Sequence, residues 1–206
     1  MKFKTKQESF WSGEFGDLYF KRNKVRSLLK NHKNLFKKAL AKANKINSII
    51  EFGPNTGINL VALKKILKLK KITAVEINKS NCIKLKKINN IEVVNKSILN
   101  FISKKKYYLV LSRGLLIHIN PKKLNQAYRA LYNSCKKGKY ILLAEYYNPS
   151  PIKINYRGYK NVLFKRDFAG EFIKKFKKIK LIDYGFIYHR DKLPQDDVTW
   201  FLLQKK

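Results

Sequence analysis

The sequence predicts an α/β protein: a doubly wound, mostly parallel seven-stranded sheet with an antiparallel last strand and helices on both faces. Three observations lead there. Short β-branched runs alternate with segments of helical spacing over five strands. The first run, SIIEFGPNTGINL from Ser48 to Leu60, passes from a strand into a turn with two glycines and then into a helix. The last two apolar runs are separated by only about ten residues, rich in charge and including Pro194, which suits a hairpin better than a crossover.

Residues 1–20 are mixed, aromatic and glycine-containing, and read as a loop or short helices. Leu28, Leu29, Leu35, Phe36 and Leu40 sit near helical spacing between Val25 and Lys45. The first strand runs from Asn47 to Phe52, followed by a helix from Asn59 to Lys70 with Leu60, Leu63 and Leu67 on one side. Strand two is Ile72 to Ile77, a helix covers Ser80 to Ile88, and strand three is Ile91 to Val94. Strand four is Tyr107 to Ser112, and Pro121 opens a helix reaching Cys135. Strand five, Tyr140 to Glu145, is short and apolar, as a central strand is. Asp167 to Phe176 carries Phe168, Phe172 and Phe176 in helical register. Leu181 to Tyr188 and Val198 to Leu203 close the sheet.

At 206 residues the chain fits one domain with a sizeable core, and 45% hydrophobic content excludes a disordered class. Cys82 and Cys135 have no metal or redox spacing and read as free thiols in a reducing compartment. No apolar leader and no membrane-length run occurs, so a cytoplasmic location is expected. The net charge of +34 invites a nucleic-acid partner. Yet 40 of the 47 basic residues are Lys, spread along the chain, whereas base and phosphate readers favour the planar fork of Arg. Only 13 acids remain, so an acid in a motif position carries weight.

The glycine turn lacks the Gly-x-Gly-x-x-Gly spacing of dinucleotide sites and the Gly-Lys-Ser/Thr ending of a P-loop, which points to a nucleoside without phosphates. Glu51 ends strand one, Gly53 allows a close turn, and Gly57 permits tight approach at the next helix. Glu76 ends strand two, where an acid accepts hydrogen bonds from both ribose hydroxyls, and Asn78 follows on the same loop. Ser97 lies where an adenine edge would sit.

The ordered set of Glu51, Gly53, Gly57, Glu76 and YYLVLSRGLLIHINP at 107–121 resembles class I S-adenosylmethionine-dependent methyltransferases. That resemblance implies S-adenosylmethionine as cofactor, with S-adenosylhomocysteine as product. It places Gly53, Pro54, Asn55, Thr56 and Gly57 under the methionine and ribose, and Glu76, Ile77 and Asn78 at the ribose. Ser97 and Ile98 fall at the adenine, and Ser112, Arg113 and Gly114 face the methyl donor. It implies a single methyltransferase domain over 1–206, with a lid and helical segment at 1–45 and a Rossmann-like core at 46–206. Trp11, Tyr19 and Arg22 would form the lid. The stretches at 7–23, 144–151, 156–172 and 193–203 further resemble the methylases associated with pseudaminic acid biosynthesis, almost end to end.

The reaction these features predict is methyl transfer to an amine or hydroxyl of a small acceptor, an acidic or nucleotide-linked sugar or sugar acid. His118 is the candidate base, or else a loop-pinning residue that an amine acceptor would leave mainly positional. Arg113 suits a carboxylate, of the cofactor or of an acidic acceptor. Glu145, Tyr146, Tyr147 and Asn148 leave strand five at the carboxyl edge; with Tyr156, Arg157 and Arg166 they form the candidate acceptor pocket. Asp167 doubles as a helix N-cap candidate. His32 and His189 lack ligand spacing, so no metal is expected. The alternative is an rRNA or tRNA methyltransferase using the basic surface. Against it, the D/N-P-P-Y/F motif of base-amino methylases is replaced by Ser112-Arg113-Gly114-Leu115, and both cysteines fall in predicted helices. No membrane partner is expected, and the sequence is silent on oligomeric state.

Overall fold

A computed structural model of the chain describes residues 3–22 and 25–206, without the side chains of 20–22 and 25–27. Three helices come first: α1 (Lys6–Ser12), α2 (Glu14–Arg22) and α3 (Val25–Ala39). They are followed by β1 (Ser48–Phe52), α4 (Ile58–Ile66), β2 (Lys71–Glu76), α5 (Lys79–Leu85) and β3 (Glu92–Asn95). Next come β4 (Tyr107–Arg113), α6 (Leu124–Ser134), β5 (Cys135–Glu145), β6 (Ile152–Tyr156) and β7 (Tyr159–Lys165). The chain ends with α7 (Phe168–Lys175), β8 (Ile179–Ile187) and β9 (Val198–Lys205).

The main sheet has seven strands in the order β3-β2-β1-β4-β5-β9-β8, and β9 runs antiparallel to both its neighbours. The expected fold class therefore stands. Its order reverses between β1 and β4, so the turns leaving their carboxyl ends open a crevice, the usual ligand position in such sheets. Alternation along each central strand feeds two cores. Ile50, Phe52, Val110, Ile141 and Leu143 face α6 and α7, whereas Ile49, Leu109, Leu111 and Leu142 join Leu35, Phe36 and Leu60 from α3 and α4. β5 is buried on both faces, which explains its unbroken apolar run. Each fully buried Leu or Phe contributes about 1.5–3 kcal/mol.

Three features depart from the expected elements. β5 begins at Cys135, because Gly138 in the left-handed region and a register shift beside β4 carry the strand through the exposed lysines. Cys135 is thus a strand residue. Pro121 opens a short 3-10 turn, capped by Asn120, ahead of α6. Most importantly, β6 and β7 form a separate two-stranded hairpin between strand five and α7, where the sequence pattern assigns no element. Its alternation is masked by exposure of most of β6. Its turn is legible in retrospect: Arg157 (φ 51°) and Gly158 (φ 83°) both adopt positive φ, as a two-residue type I′ connection requires. No described helix is long and apolar enough to cross a membrane.

Candidate functional site

A cavity of about 660 Å³ lies over the carboxyl ends of β1, β2 and β4, within the roughly 300–1,000 Å³ usual for small-molecule sites. Its floor is the turn after β1. Gly53 (φ 69°) and Gly57 (φ 75°) occupy the left-handed region, and a Cβ at Gly53 would fall 2.9 Å from Leu115 Cδ1. Pro54, Asn55 and Thr56 line the cavity, whereas Gly57 lies behind it, against Leu85 and Ile88.

Glu76 is buried on the cavity wall. Its Oε1 accepts from Asn78 N at 2.8 Å and its Oε2 from Asn55 N at 3.1 Å, so the carboxylate holds the β1 and β2 turns at a fixed separation. Burial raises its pKa, and the backbone donors oppose that shift. Ile77, Ser97 and Ile98 also line the cavity. The Ser97 hydroxyl accepts from Leu99 N at 3.1 Å, capping the turn that follows β3. Asn78 lies outside the lining. Its amide donates to Trp11 O, Ser12 O and Asp17 Oδ1, docking α1 and α2 onto the sheet edge.

Behind the floor, Glu51 is wholly inaccessible. Asn59 Nδ2 donates to its Oε1 at 2.6 Å, and the Asn59 carbonyl lies 2.7 Å from His32 Nδ1. With the Asn59 amide nitrogen committed to the carboxylate, its oxygen is left to accept, so Nδ1 of His32 carries the proton. Burial pushes the Glu51 carboxyl up to about 8 and His32 down to about 3. His32 lines the cavity with Leu28 and Asn31, one face of α3.

His118 sits in the 3-10 turn Leu116–His118 after β4 and is 9% exposed. Its Nδ1 donates to Val162 O on β7 at 2.7 Å, which leaves Nε2 as an acceptor. Its ring lies 4.4 Å from that of Trp11 and 5.4 Å from that of Tyr156, centroid to centroid. Burial lowers its pKa to about 4, so it stays neutral near pH 7. The loop carrying it is organised by Glu145, which accepts from Ser112 Oγ at 2.7 Å, Leu115 N at 3.2 Å and Leu116 N at 3.1 Å. Burial raises Glu145 to about 7.

Arg113, Gly114, Trp11, Tyr19, Tyr146, Tyr156 and Arg157 line the cavity. Several expected residues do not. Glu51, Ser112 and Glu145 are spent on internal hydrogen bonds beneath the wall. Tyr147 is exposed near Phe201, and Asn148 closes its own turn by donating to Ser150 O. Arg166 is paired with Glu171 at 2.5 Å, and Asp167 caps α7 by accepting from Gly170 N at 2.8 Å. These five polar side chains of the strand-five and α7 region therefore shape or decorate the scaffold and stand off the cavity. Arg22 closes α2, and its side chain lies outside the described residues. Glu8, His32, Asn59 and Gln195 line the cavity without having been singled out by sequence as site residues. Only the i, i+3, i+4 spacing of Leu28, Asn31 and His32 could have hinted at one of them.

The wall is rich in unmet hydrogen-bonding capacity. Among the described residues, eight buried side-chain N or O atoms lack a partner. Six belong to lining residues: Glu8, Trp11, Asn55, Asn81, Arg113 and Gln195. Glu51 Oε2 is a seventh, one contact behind the floor. Such atoms are costly when buried, so their concentration here marks a place for a polar ligand. No group of side chains suited to a metal occurs among the described residues.

No protein-family model matches the chain, and no curated protein matches it. Solved structures do match. N-methyltransferase NodS from Bradyrhizobium japonicum WM9, in complex with S-adenosyl-L-homocysteine, is 11% identical with a TM-score of 0.68, over 96% of each chain. The 1,6-didemethyltoxoflavin-N1-methyltransferase of Burkholderia thailandensis is 9% identical with a TM-score of 0.70, over 97% of this chain and 87% of that one. Coclaurine N-methyltransferase, bound to N-methylheliamine and S-adenosylhomocysteine, is 11% identical with a TM-score of 0.73, over 100% of this chain and 84% of that one. At such identities the likeness is one of architecture, and on it the chain has the fold of class I S-adenosylmethionine-dependent methyltransferases.

Proposed function

We propose that the chain transfers the methyl group of S-adenosylmethionine to a nitrogen or hydroxyl of a small acceptor. The observation that carries this reading is the ring of unpartnered buried polar atoms around a glycine turn and a strand-two acid. The residues fit that cofactor. In this reading Gly53 to Thr56 and Gly114 approach its amino-acid and ribose parts, and Glu76 accepts from the ribose hydroxyls. Ser97 and Ile98 border the adenine, Trp11 and Tyr19 cover the cofactor, and Arg113 meets a carboxylate. The cofactor, when bound, supplies a methyl on a cationic sulfonium.

The chain's own part is alignment, exclusion of water and handling of a proton. Trp11 and Tyr156 pack on the His118 ring and hold it in a largely buried place. The burial that holds His118 neutral also makes it a weak base. That combination suits a nitrogen acceptor, whose N–H His118 Nε2 accepts and whose lone pair it thereby aims. The N-methyltransferases among the structural neighbours support the same choice. Tyr146, Tyr156 and Arg157 offer a polar aromatic wall with a cation, suited to an acidic or nucleotide-linked sugar. The sugar-acid reading agrees with the sequence's resemblance to the methylases associated with pseudaminic acid biosynthesis.

The test is incubation of the protein with methyl-labelled S-adenosylmethionine and cell extract, with products separated by size and nuclease sensitivity. Label is expected in a low-mass, nuclease-resistant fraction. Label in a nuclease-sensitive polymer would replace this reading with a nucleic-acid methyltransferase.

A further inference from the structure

On the methyltransferase reading above, the connection between β8 and β9 gains a role. It presents Gln195, which is 7% exposed, to the cavity wall. The Gln195 side-chain oxygen accepts from Arg113 Nη2, joining this connection to the end of β4. That bond uses one donor of the guanidinium and the only acceptor of the amide. Arg113 Nε and Gln195 Nε2 are left buried and unpartnered, both on lining residues. Two orphan donors are thus carried by side chains already tied to each other, one of them on a cation. A ligand hydroxyl has two lone pairs on a single oxygen but no charge to match the guanidinium. A carboxylate offers two acceptor oxygens and the opposite charge, the match Arg prefers.

The surroundings support an arriving anion. The buried acid Glu51, which feels the charge of Arg113, is kept largely protonated at neutral pH by burial, so it competes weakly for the guanidinium. The connection is braced from below: His189 N and Nδ1 both donate to Asp197 Oδ1 at 2.9 Å, and Asp197 N donates to Gln195 O at 3.0 Å. The amide is therefore presented by a stapled segment, and the ordering cost of forming the site is met in advance.

We propose that Arg113 and Gln195 form a two-donor carboxylate clamp. It takes either the amino-acid carboxylate of the cofactor or the carboxylate of the acceptor. The clamp joins β4, which carries the donor-side loop, to the β8–β9 connection, so its occupancy reports directly on which ligand end lies there.

The experiment follows the Arg113 Nε–H and Gln195 side-chain amide resonances in isotope-labelled full-length protein. Three probes are added: S-adenosylhomocysteine, 5′-methylthioadenosine (which lacks the carboxylate), and N-acetylneuraminic acid on protein saturated with S-adenosylhomocysteine. Calorimetry runs alongside. A downfield shift with S-adenosylhomocysteine alone, absent with methylthioadenosine, assigns the clamp to the cofactor. A shift only with the sugar acid, absent with its methyl ester, assigns it to the acceptor. In either case Gln195→Leu weakens the shifting ligand about tenfold and leaves methylthioadenosine affinity unchanged. If S-adenosylhomocysteine binds while no probe moves either resonance, the clamp is overturned and the methyltransferase reading stands. If S-adenosylhomocysteine does not bind, both fall.

Discussion

Glu51 and His32 form a buried pair of opposite tendencies, linked through Asn59, and their titration is readable in stability. The Glu51 carboxyl is raised from 4.5 to about 8, so its contribution to stability is complete below the usual carboxylate range and is lost as pH rises toward 8. His32 and His118 act in the other sense: lowered to about 3 and about 4, they favour the fold above 6.5 and lose that contribution on acidification. Between pH 7 and 8, above the value of about 7 that Glu145 reaches, the Glu51 carboxyl sets the slope. Glu51→Gln, which keeps an acceptor for Asn59, should flatten the fall in urea midpoint over that interval; an unchanged slope would remove Glu51 as its source. A second residue prediction concerns turnover. His118→Ala should lower kcat about tenfold to a hundredfold while leaving S-adenosylhomocysteine affinity unchanged, since the ring is assigned to the acceptor. Equal losses in kcat and cofactor affinity would make His118 a packing residue for the cofactor.

At this scale the sequence was informative where residue type and strand end coincide, as for Gly53 and Glu76. It was silent on Glu8 and Gln195, whose place depends on segments far away in the chain meeting over one cavity. Glu145 and Arg166 stand off the cavity for a related reason. A polar residue at a strand end serves a ligand or the backbone equally well, and only the nearby N–H groups of Leu115 and Leu116, or the partner Glu171, decide.

At the scale of elements, the β6–β7 hairpin is the informative surprise. It supplies the carbonyl that fixes the His118 tautomer, so its turn chemistry reaches the site. Gly158→Val places a β-branched side chain at φ 83° and should cost about 1–2 kcal/mol locally. If the hairpin sets His118, this variant lowers kcat and spares S-adenosylhomocysteine binding; retention of full turnover would detach the hairpin from the reaction. A simpler prediction concerns α7. Asp167→Ala removes the acceptor for Gly170 N and should lower stability by about 1 kcal/mol, measured by denaturant unfolding. The strong apolar runs of β1, β4 and β5 were visible in sequence because both faces are buried. The hairpin was hidden because its first strand is short and mostly exposed, with only Ile152, Ile154 and Tyr156 alternating with Lys153 and Asn155.

For the whole molecule, the sheet order places the cavity where the winding reverses, and the N-terminal helices, the β4 loop, the hairpin and the β8–β9 connection converge on it. The charge of +34 is spread over that scaffold as lysine, so binding to random RNA should be electrostatic and vanish at moderate salt. Binding that survives high salt, or methylation of the RNA, would give the charge a specific role.

Whether a nucleoside cofactor sits on Glu76 is decided by calorimetry of S-adenosylhomocysteine binding to the wild type and to Glu76→Ala. One site per chain is expected in the wild type, and a loss of about 2 kcal/mol in the variant, roughly thirtyfold in Kd. No binding to the wild type, or equal affinity in a folded variant, would remove Glu76 as the ribose ligand.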